Sequence, residues 1–232
     1  MNQTRLRCAA GELSLAEIFR NLKKDALLEF RNPSAASTAV AFACVTTLAV
    51  SIVSAGASFS ALIRSILLWI IVFFSAMNSL LHIFTREEDE HTALFLRLKI
   101  SPESVYISKL IFNILFFFFI EILIYLLFIF FTGTSVKNPL MFAAAGAGGG
   151  LSIVSSSTIM SAISAKAGGR GTLFTVIAFP LLLPALLVSI STTAASIENK
   201  NQDYGNVFFL FAFSGAIILI SYLLFKYVWI EE

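Results

Sequence analysis

Residues 105–132 read VYISKLIFNILFFFFIEILIYLLFIFFT, and the only charged residues in this stretch are Lys109 and Glu121. A helix needs about 20 consecutive apolar residues to cross the hydrocarbon core of a bilayer, and this stretch is longer than that. The whole chain has 232 residues, of which 58% are hydrophobic and 13% are charged. A soluble domain carries about 25% charged residues. The sequence therefore predicts an integral membrane protein.

Apolar segments of similar length lie on both sides of this stretch and predict an all-α protein with six transmembrane helices. Their expected positions are 34–54, 61–84, 105–132, 139–164, 172–194 and 207–228. The first segment is rich in Ala, Ser and Thr, a composition that favours packing among other helices over contact with lipid. The predicted organisation is an N-terminal part (1–33) and a membrane domain (34–228) that contains a cytoplasmic segment (85–104).

The segment before the first crossing predicts a helix at the membrane surface. In residues 12–30, apolar side chains fall on one helical stripe, while Arg20, Lys23, Lys24 and Asp25 lie largely on the other side. Such a helix lies in the interface, with its basic residues near anionic lipid headgroups. Two interpretations remain open, a simple membrane anchor and the elbow helix of a transporter.

Basic residues are distributed unequally between the two sides of the predicted bundle. Of the 16 Lys and Arg residues, all but Arg64, Lys137 and Lys200 fall on the side that holds both termini. Loops rich in Lys and Arg stay in the cytoplasm. We therefore expect both termini to be cytoplasmic. The net charge of +2 is too small to indicate nucleic-acid binding.

The segment 85–104 combines an acidic cluster, a short amphipathic stretch and a Ser101-Pro102 pair that predicts a capped helix start. A solvated loop explains this composition, and so does a docking surface for a cytoplasmic partner. In the second interpretation the candidate coupling residues are Arg86, Glu87, Glu88, Glu90, Leu94, Phe95 and Leu98.

Two features inside the predicted helices are candidates for packing and function. Gly146, Gly149 and Gly150 allow close approach of another helix, either in the same chain or in a second copy. Glu121 lies deep in an apolar run, where a carboxyl group is a functional-site candidate by default. A protonated Glu121 bonded to a neighbouring helix is the alternative.

Two prolines four residues apart, Pro180 and Pro184, remove two backbone donors from one helix face. We expect a helix that is bent or broken there, near the outer half of the membrane, and a place where the bundle changes shape. The only histidines are His82 and His91, and they are not paired across a bundle core. Haem ligation by two histidines inside this chain is therefore not expected.

Residues 165–171 (AKAGGRG) running into residues 179–186 (FPLLLPAL) resemble the CcmB family, haem exporter protein B of cytochrome c maturation. The Glu29-Phe30-Arg31 entry to the first helix, the Arg86-Glu87-Glu88 start of the long loop and the Ser101-Pro102…Lys109 run agree with this resemblance. The chain departs from the family at His91-Thr92, where a glycine is usual.

The resemblance implies a permease like those of type 2 ABC exporters, in the bacterial inner membrane. It also implies a separate CcmA-like ATPase, CcmC-like and CcmD-like membrane proteins, and a CcmE-like haem chaperone. The expected role is haem export or release of the haem-loaded chaperone, in a homodimer or hetero-oligomer. This chain would be non-catalytic and bind no cofactor itself, because the complex handles haem and ATP. Two alternatives are a permease for lipid or polysaccharide and a non-transporting anchor or assembly subunit.

The orientation can be tested by cysteine labelling from outside intact cells, in a background that lacks Cys8 and Cys44. A membrane-impermeant reagent should label a cysteine placed at Asn138 or Asn199 but not one at Glu232, because the basic side faces the cytoplasm. Permeabilised cells, in which all three positions should react, are the control. Labelling at Glu232 before permeabilisation would reverse the predicted topology.

Overall fold

The computed structural model describes residues 15–31, 33–54, 59–80, 100–166, 172–199 and 203–230. These residues form seven helices and no strand. The helices are α1 (Leu15–Arg31), α2 (Ser34–Ser54), α3 (Ala61–Leu80), α4 (Pro102–Thr132), α5 (Pro139–Lys166), α6 (Thr172–Glu198) and α7 (Tyr204–Ile230).

The predicted membrane-spanning class is confirmed, and the number of spans is approximately the predicted six. Five helices, α2 and α4 to α7, are long and apolar enough to cross a membrane. The remaining candidate, α3, has a shorter apolar segment at Ala61–Met77. Residues 81–84, which the prediction assigned to the end of this helix, lie outside the described residues.

Local sequence signals explain where α4 begins and ends. The predicted cap at Ser101 is confirmed, because its side chain accepts a hydrogen bond from the Ser104 backbone N–H, and Pro102 occupies the first turn. α4 therefore begins three residues before the predicted 105. It ends at Gly133, which adopts the left-handed conformation with φ of 61°. In the same way α6 continues four residues past the predicted 194, to a left-handed Asn199.

The centre of the bundle is α5, which packs most extensively against α6 and α7 and also contacts α3 and α4. Within its apolar segment 72% of the residues are buried, compared with 17% for α2 and for α7. The expectation that α2 would pack among other helices is therefore wrong. Its small residues form only one buried stripe, Ala39, Ala43 and Thr47, and Val45 and Ile52 on other faces are exposed.

α1 packs against α4 and also contacts α2. It exposes Leu15, Phe19, Leu27 and Phe30, as a helix at a lipid interface would. Asp25, which the prediction placed with the exposed basic residues, is buried instead. Its carboxylate faces α4, where an ion pair compensates the charge.

Glycines on α5 let four helices approach its backbone. A Cβ atom added at Gly148 would lie 2.8 Å from Leu210 Cβ of α7, and one added at Gly150 would lie 2.6 Å from Glu121 Oε2 of α4. A Cβ atom added at Gly149 would overlap Trp69 of α3 and Ser189 of α6. The same two helices are joined by a hydrogen bond of 2.9 Å from Trp69 Nε1 to Thr193 Oγ1.

Replacing Gly149 with alanine should destabilise the bundle by about 1–3 kcal/mol, because overpacking forces Trp69 or Ser189 to move. The matched control is Gly215→Ala in α7, where an added Cβ meets nothing within 4 Å. Thermal unfolding of the detergent-solubilised chain should show a lower Tm for Gly149→Ala alone. Equal Tm values for the two variants would show that the α3–α5–α6 contact is not close-packed.

Candidate functional site

The first turns of α4 are held to α1 by two buried polar contacts. Asn21 Nδ2 donates a hydrogen bond of 2.6 Å to Ser108 Oγ. The Lys109 ammonium lies 3.2 Å from Asp25 Oδ1, and both side chains are at most 6% exposed. A buried ion pair resists separation, because moving either partner away leaves an uncompensated charge in a poorly hydrated place.

The same turns of α4 are also held to α7, through aromatic rings. The Tyr106 ring centroid lies 5.3 Å from that of Phe225, and the Phe225 ring stacks on Trp229 at 5.5 Å. All three side chains are buried. We call this group, together with Asn21, Asp25, Ser108 and Lys109, the α1–α4–α7 junction.

The junction lies immediately after the predicted coupling segment. The candidate coupling residues Arg86, Glu87, Glu88, Glu90, Leu94, Phe95 and Leu98 lie outside the described residues. The chain is described again from Ile100, and Ser101 and Ser104 are already buried in the first turn of α4. Any force applied to the chain just before residue 100 therefore acts directly on the start of α4.

Further along its length, α4 packs antiparallel to α5 in a constant register. We call this contact the α4–α5 seam. Asn113 Nδ2 donates a hydrogen bond of 2.8 Å to Thr158 Oγ1. Glu121 lies against Gly150, and Tyr125 lies against Gly146. Each step of about four residues along α4 is matched by four in the opposite direction along α5, as two closely packed straight helices require.

Glu121 lies in the α4–α5 seam with 3% of its surface exposed. Glu121 interacts with the Tyr125 hydroxyl, one turn away on the same helix. Neither its carboxyl oxygens nor this hydroxyl makes a hydrogen bond of good geometry with the described residues. A buried carboxyl group in a membrane bundle without a well-formed hydrogen bond or ion pair calls for an explanation. The alternative of a hydrogen bond from Glu121 to a neighbouring helix is not seen in this arrangement.

The two prolines do not break their helix. α6 continues through Pro180 and Pro184, and both are exposed on the surface of the bundle. They lie in the first half of α6, nearer its Thr172 end. The helix continues although each proline removes one backbone hydrogen bond and crowds the carbonyl four residues earlier in the same helix. Their predicted position near the outer half of the membrane stays a prediction.

Sequence reasoning missed the Asp25–Lys109 ion pair, the Asn113–Thr158 hydrogen bond and the role of Tyr125. A partial signal was present, since Lys109 and Asn113 are four residues apart on α4, as are Glu121 and Tyr125, and residues four apart share a helix face. This spacing does not identify the helices that these faces contact. In the part of the chain that the structure describes, no group of three or more His, Cys, Asp or Glu side chains could hold a metal ion.

These features define the class of the protein, a multi-pass α-helical membrane protein with a surface helix attached to its bundle. A family model described as "CcmB protein" matches residues 16–227, and the chain therefore belongs to the CcmB family. Membership makes it a membrane component of a haem-exporter ABC system. Neither the curated proteins nor the solved structures that were compared include a match.

The Asp25–Lys109 pair should be essential for attaching α1 to α4. Either Asp25→Asn or Lys109→Met alone should destabilise the chain by about 3–5 kcal/mol, because each removes one member of a buried ion pair and leaves the other buried charge less well compensated. The double variant should recover part of this loss, and the difference gives the coupling energy. Thermal unfolding of the unmodified chain, the two single variants and the double variant, in the same detergent, measures this coupling energy.

Lys24→Met is the control for this cycle, because Lys24 is 36% exposed although it lies 3.4 Å from the same carboxylate oxygen. A partly exposed pair contributes about 0–1 kcal/mol, so its loss should change little. Additive effects of Asp25→Asn and Lys109→Met would show that the two side chains do not stabilise one another.

Proposed function

We propose that this chain is the permease subunit of an ABC complex in cytochrome c maturation. In this proposal a separate CcmA-like ATPase hydrolyses ATP, and the conformational change reaches this chain through residues 85–104. The product of the cycle is release of a haem-loaded CcmE-like chaperone or export of haem. The complex also contains CcmC-like and CcmD-like proteins in the bacterial inner membrane.

The observation that carries the proposal is the match to the CcmB family over residues 16–227, which include all of the bundle's apolar segments. The α1–α4–α7 junction adds a physical reason. A permease driven by a cytoplasmic ATPase needs a segment that receives force and a rigid element that carries it into the membrane. Residues 85–104 lead directly into α4, which is fixed at its start to α1 by Asp25 and to α7 by Tyr106.

Release of the loaded chaperone is favoured over passage of haem through this subunit. The chain has two histidines. His82 lies at the end of the second predicted span (61–84) and His91 in the segment after it, both near the predicted cytoplasmic side. The interior of the apolar segments therefore offers no imidazole to a haem iron. A subunit that transmits force to partners does not need such a ligand.

The predicted contact with the ATPase can be tested at Phe95. Phe95→Asp should abolish co-purification of the ATPase subunit of the same system, because an apolar anchor in a groove contributes most of the affinity of a small interface. Phe95→Leu is the matched control, since it keeps an apolar side chain and should retain the ATPase. Both variants should elute from gel filtration like the unmodified chain, which shows that the bundle is intact.

If the ATPase co-purifies equally with Phe95→Asp and Phe95→Leu, the coupling contact lies elsewhere on the chain. If it co-purifies with no form of the chain, including the unmodified one, the ABC assignment itself fails. The two failures are therefore distinguishable.

A further inference from the structure

In the part of the chain that the structure describes, no Lys or Arg side chain hydrogen-bonds to the Glu121 carboxyl group. The titratable group beside it is the hydroxyl of Tyr125, which carries no positive charge. Lys109, the nearest charged residue along α4, is 12 residues away, which corresponds to about 18 Å along a helix axis. The neighbouring α5 carries no titratable residue from Pro139 to Ala165. Arg64 on α3 and Cys44 on α2 form no hydrogen bond with Glu121.

An ionised carboxylate in this position would therefore be buried in a membrane bundle without a cation bonded to it, and the neutral Tyr125 hydroxyl does not compensate its charge. The free-energy cost of such a charge is high enough that the group takes up a proton instead. The described residues include no group of three or more His, Cys, Asp or Glu side chains that could hold a metal ion. The ligand that fits the site is a proton.

The two ends of the α4–α5 seam differ in polarity, and this difference indicates the end from which water would reach Glu121. Towards the start of α4 the seam contains Asn113 and Thr158, and helical spacing from Gly150 places the buried Ser157 on the same face of α5. Asn113 Oδ1 and the Ser157 hydroxyl have no hydrogen-bond partner among the described residues. These groups can hydrogen-bond to water when the seam opens, and the α1–α4–α7 junction lies beyond them.

Towards the other end of α4 the seam is apolar beyond Tyr125. The Tyr125 ring lies 5.0 Å from that of Phe142, and Phe128 one turn further is buried. On the polar side a single residue, Phe117, separates Glu121 from Asn113. Phe117 is fully buried, and its ring would be 2.9 Å from a Cβ atom added at Gly150.

We propose that Glu121 is a proton-binding site in the α4–α5 seam, closed by Phe117 on the side of the junction. The carboxyl group holds its proton while Gly146 and Gly150 keep the two helices in contact. When the helices separate and Phe117 moves, water reaches Glu121 along Asn113 and Ser157, and the proton exchanges. This inference concerns the bundle alone and does not depend on the identity of the transported species.

Infrared spectroscopy of the full-length chain in lipid nanodiscs tests whether the proton is present. The unmodified chain at neutral pH should show the C=O stretch of a protonated carboxylic acid, and this band should be absent in Glu121→Gln. Glu121→Asp keeps a carboxyl group and should shift the band without removing it. If subtraction of the Glu121→Gln spectrum reveals only carboxylate bands, Glu121 is ionised and the proposal is wrong.

Exchange of this proton for deuterium tests the path. After transfer to D₂O the band shifts, and its rate of shift reports access of water to Glu121. Phe117→Ala should accelerate the shift at least about tenfold. The matched control is Phe128→Ala, which removes an equally buried ring of α4 on the apolar side of Tyr125, and it should leave the rate unchanged.

Equal rates in the two alanine variants would show that Phe117 does not close the site. If Phe128→Ala alone accelerates exchange, water enters from the opposite end and the proposed direction is wrong. Should either alanine variant fail to fold, Phe117→Leu and Phe128→Leu preserve most of the packing, and the same comparison applies to them.

Discussion

Inside a bilayer no water is available to polar groups, so each of them must find a partner within the protein. Many of the Ser and Thr side chains of this bundle meet the requirement locally, by bonding to the carbonyl three or four residues earlier in their own helix. On α5 this is the arrangement of Ser152, Ser155 and Thr158, and on α6 that of Thr192 and Ser196. Small residues whose hydroxyl groups are hydrogen-bonded within their own helix can be buried in large numbers, and they make α5 the central helix.

Three groups on α4 do not use this local solution. Lys109 is compensated by a carboxylate from α1, Asn113 Nδ2 bonds to a hydroxyl from α5, and the polar group beside Glu121 is the Tyr125 hydroxyl of its own helix. The first two contacts fix the position of α4 between its neighbours, because a buried polar pair has one geometry while apolar contacts have many. The third is a buried acid to which no cation of the described residues is hydrogen-bonded, and such departures occur where a protein needs a site more than it needs stability.

The sequence was sufficient to predict the class, the approximate number of helices and the cap at Ser101, because apolar length and capping chemistry are local properties. It did not predict which helix would be central. α2 and α5 are both rich in small residues, and composition alone does not distinguish a helix packed on one stripe from one packed on every side. The pairing of Asp25 with Lys109 joins residues 84 positions apart, and a single sequence contains no sign of such a contact beyond the two charges.

The positions of the prolines and of the seam indicate where the bundle can change shape. Pro180 and Pro184 lie on the exposed face of a continuous helix, so the contact between α5 and α6 does not depend on them. α4 has no glycine or proline between Glu103 and Thr132, and helices kink mainly at such residues. A displacement of its first turn is therefore carried along the whole helix.

α5 is held by its extensive contacts with α6 and α7, whereas α4 is attached to α1, α2, α3 and α7 as well as to α5. Along the α4–α5 seam, Gly146 and Gly150 let the side chains of α4 lie directly against the α5 backbone. If the proposed coupling segment displaces the first turn of α4, the rigid helix carries this displacement to the seam. Glu121 lies at this seam, where the proposed movement of α4 relative to α5 would expose its carboxyl group to water.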